Sequence, residues 1–264
     1  MKNLIKLNKT TIGMVSALAM LPMAGSAATI NWSTSVDLLA GGNNTDFISQ
    51  NGTFAVGING GTTTTTQTIG DSVFTATTSA QLISGVTANG VTLIGDFASD
   101  AGPTTFGDGG FNGLNDIFDL LNSAVYAGTS LTMSGLTIGN QYEIQLMGND
   151  ARGTNRSGYM IGVTADATLD VFSRVANLNN TTAASELSGD YLIGTFTADA
   201  ASQTFRMGGT RAGNYVDGQA YNNSNGGQAQ INALQVRDLG VVPEPSSTAL
   251  LGLGGLALIL RRRK

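Results

Sequence analysis

The chain of 264 residues contains neither cysteine nor histidine. Disulfide bonds therefore cannot stabilise it, and its own hydrophobic core must hold the fold together. The missing side chains exclude the Ser-His-Asp and Cys-His nucleophile systems. They also remove the usual ligands of zinc, copper, haem and iron–sulfur clusters, so calcium with oxygen ligands is the one protein-bound metal that the sequence leaves open.

Lysine is absent from the whole middle of the chain. All four lysines lie in the two terminal segments, and residues 29–242 carry six arginines against seventeen acidic residues, a net charge of −11. Proteins that bind nucleic acids need dense Lys and Arg to neutralise phosphates. The acidic body therefore excludes nucleic acid as a partner.

The N-terminal segment has three lysines among its first nine residues, an apolar stretch over residues 12–23 and a run of small residues from Ala24 to Ala28. This order of basic, apolar and small residues is typical of a secretory signal peptide. We predict that residues 1–28 are a signal peptide. Signal peptidase would cut after Ala28 or one residue earlier, after Ala27. A buried N-terminal helix is the alternative interpretation.

The C-terminal segment has three parts. Pro243-Glu244-Pro245 is followed by the apolar residues 248–260 and then by Arg261, Arg262, Arg263 and Lys264. Thirteen helical residues span roughly 20 Å, less than the roughly 30 Å hydrocarbon core, so this predicted transmembrane segment is a marginal anchor. The terminal cations favour the cytoplasmic side, which places the body outside.

Together, Pro243, Glu244 and Pro245, the glycine-containing apolar run and the basic stop at 261–264 resemble the PEP-CTERM sorting signal of bacterial surface proteins, here over residues 241–264. The resemblance implies recognition by exosortase, a membrane-embedded transpeptidase-like protease, in bacteria that make extracellular polysaccharide. The three motif residues would be recognition elements. The chain would be anchored in the inner membrane before processing and would then reach the cell surface or extracellular matrix. A plain tail anchor is the alternative.

The body, residues 29–240, reads as one all-β domain. It is rich in glycine, threonine and asparagine and has no long amphipathic helical pattern, which favours short strands joined by tight turns. We predict a jelly-roll-like antiparallel β-sandwich with one short helix. The predicted strands are 30–36, 53–58, 72–77, 91–97, 130–134, 141–147, 159–164, 167–172, 191–197, 203–207 and 230–237.

Two segments of the body have clear periodicity. Residues 141–147 alternate, with Tyr142, Ile144 and Leu146 on one face, which predicts a half-buried strand with Glu143 on the solvent side. Residues 115–125 have helical spacing, with Asn115 or Asp116 as the cap. We expect this helix to pack over a sheet edge or the mouth of the sandwich.

The phrases at 134–142, 194–199 and 231–236 resemble those of malectin-like and galactose-binding-like β-jelly rolls. This resemblance implies the jelly-roll fold more than any particular function.

One loop is a candidate calcium site. Oxygens of Asp108, Asn112, Asp116 and Asp119 could converge on a hard cation. The pattern departs from an EF-hand, since Gly110 stands at the third ligand position and Asp119 at the twelfth. A turn and a helix cap explain the same residues, and we favour that interpretation, with no cofactor.

Two further segments contain the side chains that bind sugars. Asp150 and Arg152 could bond saccharide hydroxyls, although a salt bridge that fastens the loop is the favoured alternative. Tyr215, Asp217 and Tyr221 combine aromatic faces with a carboxylate among amides, as carbohydrate sites do. A polar loop before the last strand is the other interpretation.

These features predict an exported surface or matrix module that has no chemistry of its own and is either structural or associated with carbohydrate. An enzyme that acts on extracellular polysaccharide through aspartates is the alternative. Glycoside hydrolysis needs two carboxylates, and since the body has only two glutamates, Glu143 and Glu186, aspartates would have to take this role. A matrix filler without a ligand is a third interpretation.

The sorting interpretation is tested by replacing Pro243 and Glu244 with alanine in the native host. We expect the tail to stay on the protein, because the recognition elements are gone, and intact-mass measurement of the purified protein reports it. Alanine at Ser246 and Ser247 is the matched control. Removal of the tail from the Pro243 and Glu244 variant would contradict the sorting interpretation.

Overall fold

The computed structural model describes residues 28, 30–33, 36–37, 44–62, 65–102, 115–148, 190–206 and 229–242. The helical elements of this part are a 3-10 turn (Asn44–Asp46), α1 (Ser79–Ser84) and α2 (Asn115–Leu121). The strands are β1 (Asn31–Trp32), β2 (Val36–Asp37), β3 (Thr53–Gly60), β4 (Gln67–Ile69), β5 (Ser72–Thr77), β6 (Val86–Ala88), β7 (Val91–Gly95), β8 (Ser99–Ala101), β9 (Ala124–Gly128), β10 (Ser130–Ser134), β11 (Asn140–Gly148), β12 (Asp190–Thr197), β13 (Ser202–Arg206), β14 (Ala229–Ile231) and β15 (Ala233–Val241).

The strands form three sheets. The main sheet has eight strands in the order β1-β12-β11-β15-β3-β5-β4, with β2 also paired to β12. The second sheet has the order β13-β10-β7-β6, and the small sheet has the order β14-β9-β8. In the described part of the chain, β3 and β5 are the one parallel pair. The β-sandwich expected from the sequence is confirmed, with this parallel pair added to an otherwise antiparallel arrangement.

The main hydrophobic core lies between the main sheet and the second sheet. Tyr142, Ile144 and Leu146 of β11 face it, as their period-2 spacing predicted. The ring of Tyr142 stacks on Phe196 with centroids 5.7 Å apart, and Phe196 meets Phe205 of the second sheet edge-on at 5.3 Å. These aromatic contacts join the two layers of the sandwich.

The opposite face of the main sheet is covered as well. Residues Ile117, Leu120 and Leu121 of α2 are fully buried against Ile69, Phe74, Met147 and Ala233 of that face. The expected helix therefore exists, and it covers apolar side chains of this face beside β4, the edge strand of the main sheet. It ends at Leu121, and Val125 belongs to β9.

A second helix, α1, corrects the expectation of one short helix. Thr78 caps it, accepting a hydrogen bond from the Gln81 N–H, while the Gln81 side chain accepts one from the Thr78 N–H. This is a capping box of the T-x-x-Q form. The four letters from Thr78 to Gln81 were a signal in the sequence, but α1 is too short to show helical periodicity.

Most predicted strands within the described residues are present, and two match exactly in extent: Ser72–Thr77 and Ser130–Ser134. Four short strands, β4, β6, β8 and β9, were not predicted. The last predicted strand is divided at Asn232, whose amide donates to the carbonyls of Leu121 and Ser123 at 2.9 and 2.7 Å. This break transfers the chain from the small sheet to the main sheet.

Several predicted segments lie outside the described residues. They are the strands at 159–164 and 167–172, the signal peptide up to residue 27 and the tail from residue 243. Within the described part of the chain, no helix has the length and apolar character needed to cross a membrane.

Two glycines of the turn between β10 and β11 offer a matched test of the backbone. Gly135 and Gly139 have φ of 81° and 88°, a region that costs a side-chain-bearing residue about 1–2 kcal/mol. A Cβ at Gly135 would lie 2.0 Å from the Gly90 carbonyl oxygen, whereas a Cβ at Gly139 would meet nothing within 4 Å. We expect Gly135→Ala to lower the free energy of unfolding clearly more than Gly139→Ala, as measured by urea titration. Equal losses would contradict the close approach of Gly135 to Gly90.

Candidate functional site

A cleft of about 420 Å³ opens at one end of the sandwich. The start of β3, the start of β11 and the end of β15 meet there, together with the turns before β7 and β11. Its lining comprises Gly52, Thr53, Phe54, Ala55, Asn89, Val91, Gly135, Thr137, Asn140, Tyr142, Asp238, Leu239 and Gly240. Three strands of the main sheet and a turn of the second sheet thus position the site.

Two β-bulges shape this end of the main sheet. Gln141 pairs with Gly240 and Tyr142 with Asp238, which leaves Leu239 as an extra residue in β15. On the other side of β15, where it pairs with β3, Val236 pairs with Val56 and Arg237 with Phe54. This leaves Ala55 as an extra residue in β3. Bulges redirect neighbouring side chains and are frequent beside functional sites. Both extra residues line the cleft.

The carboxylate in the cleft is held in a fixed orientation. The Asn140 side-chain amide donates to both Asp238 oxygens, at 3.0 and 2.9 Å, and the Gly240 N–H donates to Oδ1 at 2.8 Å. Neither donor is a cation. The Asp238 carboxylate therefore has no cation among these hydrogen-bond partners, lines the cleft, and has lone pairs left for further donors.

Two more polar side chains of the lining are also fixed. The hydroxyl oxygen of Tyr142, a residue that is only 1% exposed, accepts a hydrogen bond from the Thr137 N–H at 2.8 Å. The Asn89 amide donates to the carbonyls of Phe54 and Ala55, both at 3.2 Å, and so satisfies the bulge in β3. The polar groups around the cleft are thus preorganised, next to the apolar side chains of Phe54, Val91 and Leu239.

A second polar cluster lies on the opposite face of the main sheet, under residues 44–52. Glu143 was predicted to face solvent, but it is 3% exposed, and Gln145 and Gln235 are fully buried. The prediction was wrong because the 44–52 segment covers this face. We name Ser72, Glu143, Gln145, Gln235 and Arg237 the buried polar row.

The glutamines of the buried polar row bond the covering segment through its backbone. Gln145 accepts from the Ser49 N–H at 3.0 Å and donates to the Phe47 carbonyl at 2.6 Å. Gln235 donates to the Ser49 carbonyl at 3.0 Å and to the Gln145 side chain at 2.7 Å, and accepts from Ser72 at 2.7 Å. These bonds replace the water that the buried amides have lost.

Arg237 is fully buried and forms a bidentate pair with Asp71, both N···O distances being 2.8 Å. It also donates to the Ser72 hydroxyl and to the carbonyls of Asn51 and Gly52. The hydrogen bonds from the Arg237 guanidinium hold the pKa of Asp71 below its ordinary value of 3.8, against the smaller opposing effect of burial. This set of bonds fixes residues 51–52 at the edge of the cleft.

Glu143 is the least satisfied member of the buried polar row. Its Oε2 accepts a hydrogen bond from the Asn51 amide at 3.1 Å. Its Oε1 is buried and has no hydrogen-bond partner among the described residues. Glu143 therefore supports Asn51 from below the covering segment and does not line the cleft.

Most of the site residues predicted from the sequence lie outside the described residues, and these sites stay predictions. Asp150, Arg152, Tyr215, Asp217 and Tyr221 lie outside the described residues, as do Asp108, Asn112 and the tail residues 243–245 and 261–264.

Of the calcium candidates, Asp116 lies in α2, but its side chain is not among those described. The Asp119 carboxylate accepts a hydrogen bond from the Gln67 amide at 3.0 Å. In the described ranges, no group of three acidic side chains is arranged to hold a metal ion.

The cleft residues were not predicted, because the sequence patterns that contain them indicate turns and not a binding site. Asn89-Gly90 is a dipeptide that favours hairpin turns, and it does join β6 to β7. Gly139-Asn140 is a pair typical of turns, but nothing in it marks Asn140 as a cleft residue. Asp238 had no signal, because its alternation with Leu234 and Val236 gives its face of β15 but does not show that a cleft opens there.

Comparison with known proteins identifies the tail. Residues 241–264 match the family model of the PEP-CTERM protein-sorting motif. The tail is a PEP-CTERM sorting signal. This confirms the resemblance seen in the sequence, and the motif implies export, membrane anchoring and recognition by exosortase. The match does not extend to the body.

Other comparisons add little about the body. No curated protein matches the chain. A solved structure of a calcium binding mutant of Bacteroides uniformis beta-glucuronidase 2 shares 12% identity with it at a TM-score of 0.37. The alignment covers 75% of this chain and 19% of that one. Similarity at this level does not establish a shared function.

The Asp71–Arg237 pair predicts how stability depends on pH. The pKa of Asp71 is lowered by folding, so its stabilisation is complete above the unfolded pKa and is lost as the pH falls through the folded pKa, below 3.8. Asp71→Asn should lower the free energy of unfolding by about 1–2 kcal/mol at pH 7. This value is low for a hydrogen bond between charged groups, because the Asp71 carboxylate is half exposed.

Urea titration at neutral and at strongly acidic pH measures this cost, which should shrink in acid. Ser202→Ala, an exposed change on the second sheet, is the control and should leave the profile unchanged. A cost that is the same at both pH values would show that the ion pair does not stabilise the fold.

Proposed function

We propose that the mature protein is a non-catalytic module of the cell surface or extracellular matrix, which binds neutral saccharide units of an extracellular polysaccharide in the cleft. The observation that carries this proposal is the oriented carboxylate of Asp238, beside an amide, a tyrosine hydroxyl and an apolar wall. Saccharide sites combine such fixed polar groups, which bond hydroxyls, with apolar surface for the sugar's CH groups. The PEP-CTERM signal supports the surface location.

Charge supports a neutral ligand over an acidic one. Asp238 faces the cleft with hydrogen-bond donors but no cation bonded to it. The body as a whole carries a net charge of −11. An anionic polysaccharide would be repelled both by the body and by the cleft. Hydroxyl groups, by contrast, can donate to the Asp238 oxygens at no electrostatic cost.

The number of carboxylates favours binding over hydrolysis. Glycosidases place two carboxyl groups about 5 to 10 Å apart on either side of the scissile bond. Among the described residues that line the cleft, Asp238 is the only acid. Glu143 and Asp71 belong to the cluster on the opposite face, where they bond Asn51 and Arg237. The arrangement is therefore suited to holding a saccharide and not to cleaving one.

The proposal is tested with the mature protein, isolated from the producing bacterium after removal of the tail, and the neutral extracellular polysaccharide of that bacterium. Asp238→Asn should weaken binding about tenfold, because a hydrogen bond to a charged group contributes about 1.5–3 kcal/mol. Isothermal titration calorimetry measures the change. Asp46→Asn, which removes an exposed carboxylate from the other face, is the charge-matched control.

Two outcomes would contradict the proposal. If the unaltered protein binds no neutral polysaccharide, the matrix-filler interpretation replaces it. If Asp238→Asn binds as well as Asp46→Asn, the saccharide site lies elsewhere on the protein. Release of reducing ends from the polysaccharide by the unaltered protein would instead favour the enzyme.

A further inference from the structure

The chain leaves the sandwich at the end that carries the cleft. β15 runs through the centre of the main sheet and ends at Val241, and Asp238, Leu239 and Gly240 of this strand line the cleft. Pro243, the first residue of the sorting motif, follows two residues after Val241. The cleft and the start of the PEP-CTERM signal are therefore separated by only a few residues of backbone.

This short connection limits how far the cleft can lie from the membrane. Only residues 243–247 separate Val242 from the apolar run at 248–260. Six residue steps, even fully extended, span at most about 20 Å. The headgroup layer occupies about 6 Å of that distance on each side of the bilayer. While the tail is inserted, the end of β15 cannot move more than about 15 Å from the lipid surface.

The same end of the body also exposes apolar side chains. Ile138, at the turn before β11, is 63% exposed, Val241 is 73% exposed and Val242 is 40% exposed. Apolar side chains at a membrane interface gain free energy by leaving water. This surface is therefore compatible with contact with a bilayer held beside it by the tail.

We propose that the cleft end of the sandwich rests on the outer surface of the membrane while the tail is inserted, so that the bilayer covers the cleft. Removal of the tail then opens the cleft to macromolecules. The occupant of this surface before processing is the lipid bilayer itself. The proposal rests on the anchored stage that the sorting signal implies and does not depend on whether the cleft binds a saccharide.

The absence of cysteine from the chain allows a direct test. Thr137→Cys places a thiol at the exposed rim of the cleft, where the hydrogen bond of Thr137 is made by its backbone N–H. Ala80→Cys places one at the exposed start of α1, near the opposite ends of β3 and β5. The two ends are about 25 Å apart, because β3 has eight residues.

The full-length variants are reconstituted into phosphatidylethanolamine–phosphatidylcholine vesicles, which carry no net charge and so do not repel the acidic body. They are labelled with a large polyethylene-glycol maleimide or with N-ethylmaleimide. We expect the large reagent to label Thr137→Cys severalfold more slowly than Ala80→Cys. N-ethylmaleimide, which is small, should label the two at similar rates. Thr53→Cys, also exposed on the cleft lining, is the second probe if Thr137→Cys does not fold.

A longer connection provides the matched control. A Gly/Ser insert of twenty residues between Val242 and Pro243 adds an average reach of about 25 Å and keeps the protein anchored. Labelling of Thr137→Cys by the large reagent should then rise to the rate of Ala80→Cys. Equal rates without the insert, or protection that persists with it, would overturn the proposal. Neither result would bear on saccharide binding, which the calorimetry on the mature protein without the tail tests separately.

Discussion

The hydrogen bonds from the buried polar row to residues 44–52 are the interaction on which this structure most depends. Gln145 and Gln235 lie at the centre of the main sheet and are fully buried. Their side chains are satisfied by Ser72 and by the backbone of the covering segment. Without that segment, the amides would face water and the apolar side chains around Phe74 would lose part of their cover. The polar row thus decides that the main sheet is buried on both faces.

Burial on both faces makes the main sheet a rigid support for the cleft. Arg237 bonds Asp71 on one side and the carbonyls of Asn51 and Gly52 on the other. Gly52 lines the cleft, so the cluster under the covering segment and the cleft share a boundary. Asn89 fixes the bulge of β3 from the second sheet. The polar groups of the cleft are held in place by both layers of the sandwich, which lowers the entropy cost of binding a ligand.

The position of the cleft connects the body to its route of export. β15 is both a central strand of the main sheet and the last element before the PEP-CTERM signal. A ligand site at this end lies next to the membrane as long as the tail is attached. In the arrangement that we propose, recognition by exosortase and access to the cleft are linked through the few residues that join β15 to Pro243.

The sequence by itself determined the sorting signal, the acidic body, the β-sandwich and the inward face of β11, because each depends on local order or on a period of two. It did not determine the environment of Glu143, since alternation predicts two faces but not what covers the second. Nor did it predict Asp238 as a cleft residue. Only tertiary structure decided these points, because a covering segment and a cleft arise from contacts between residues far apart in the chain.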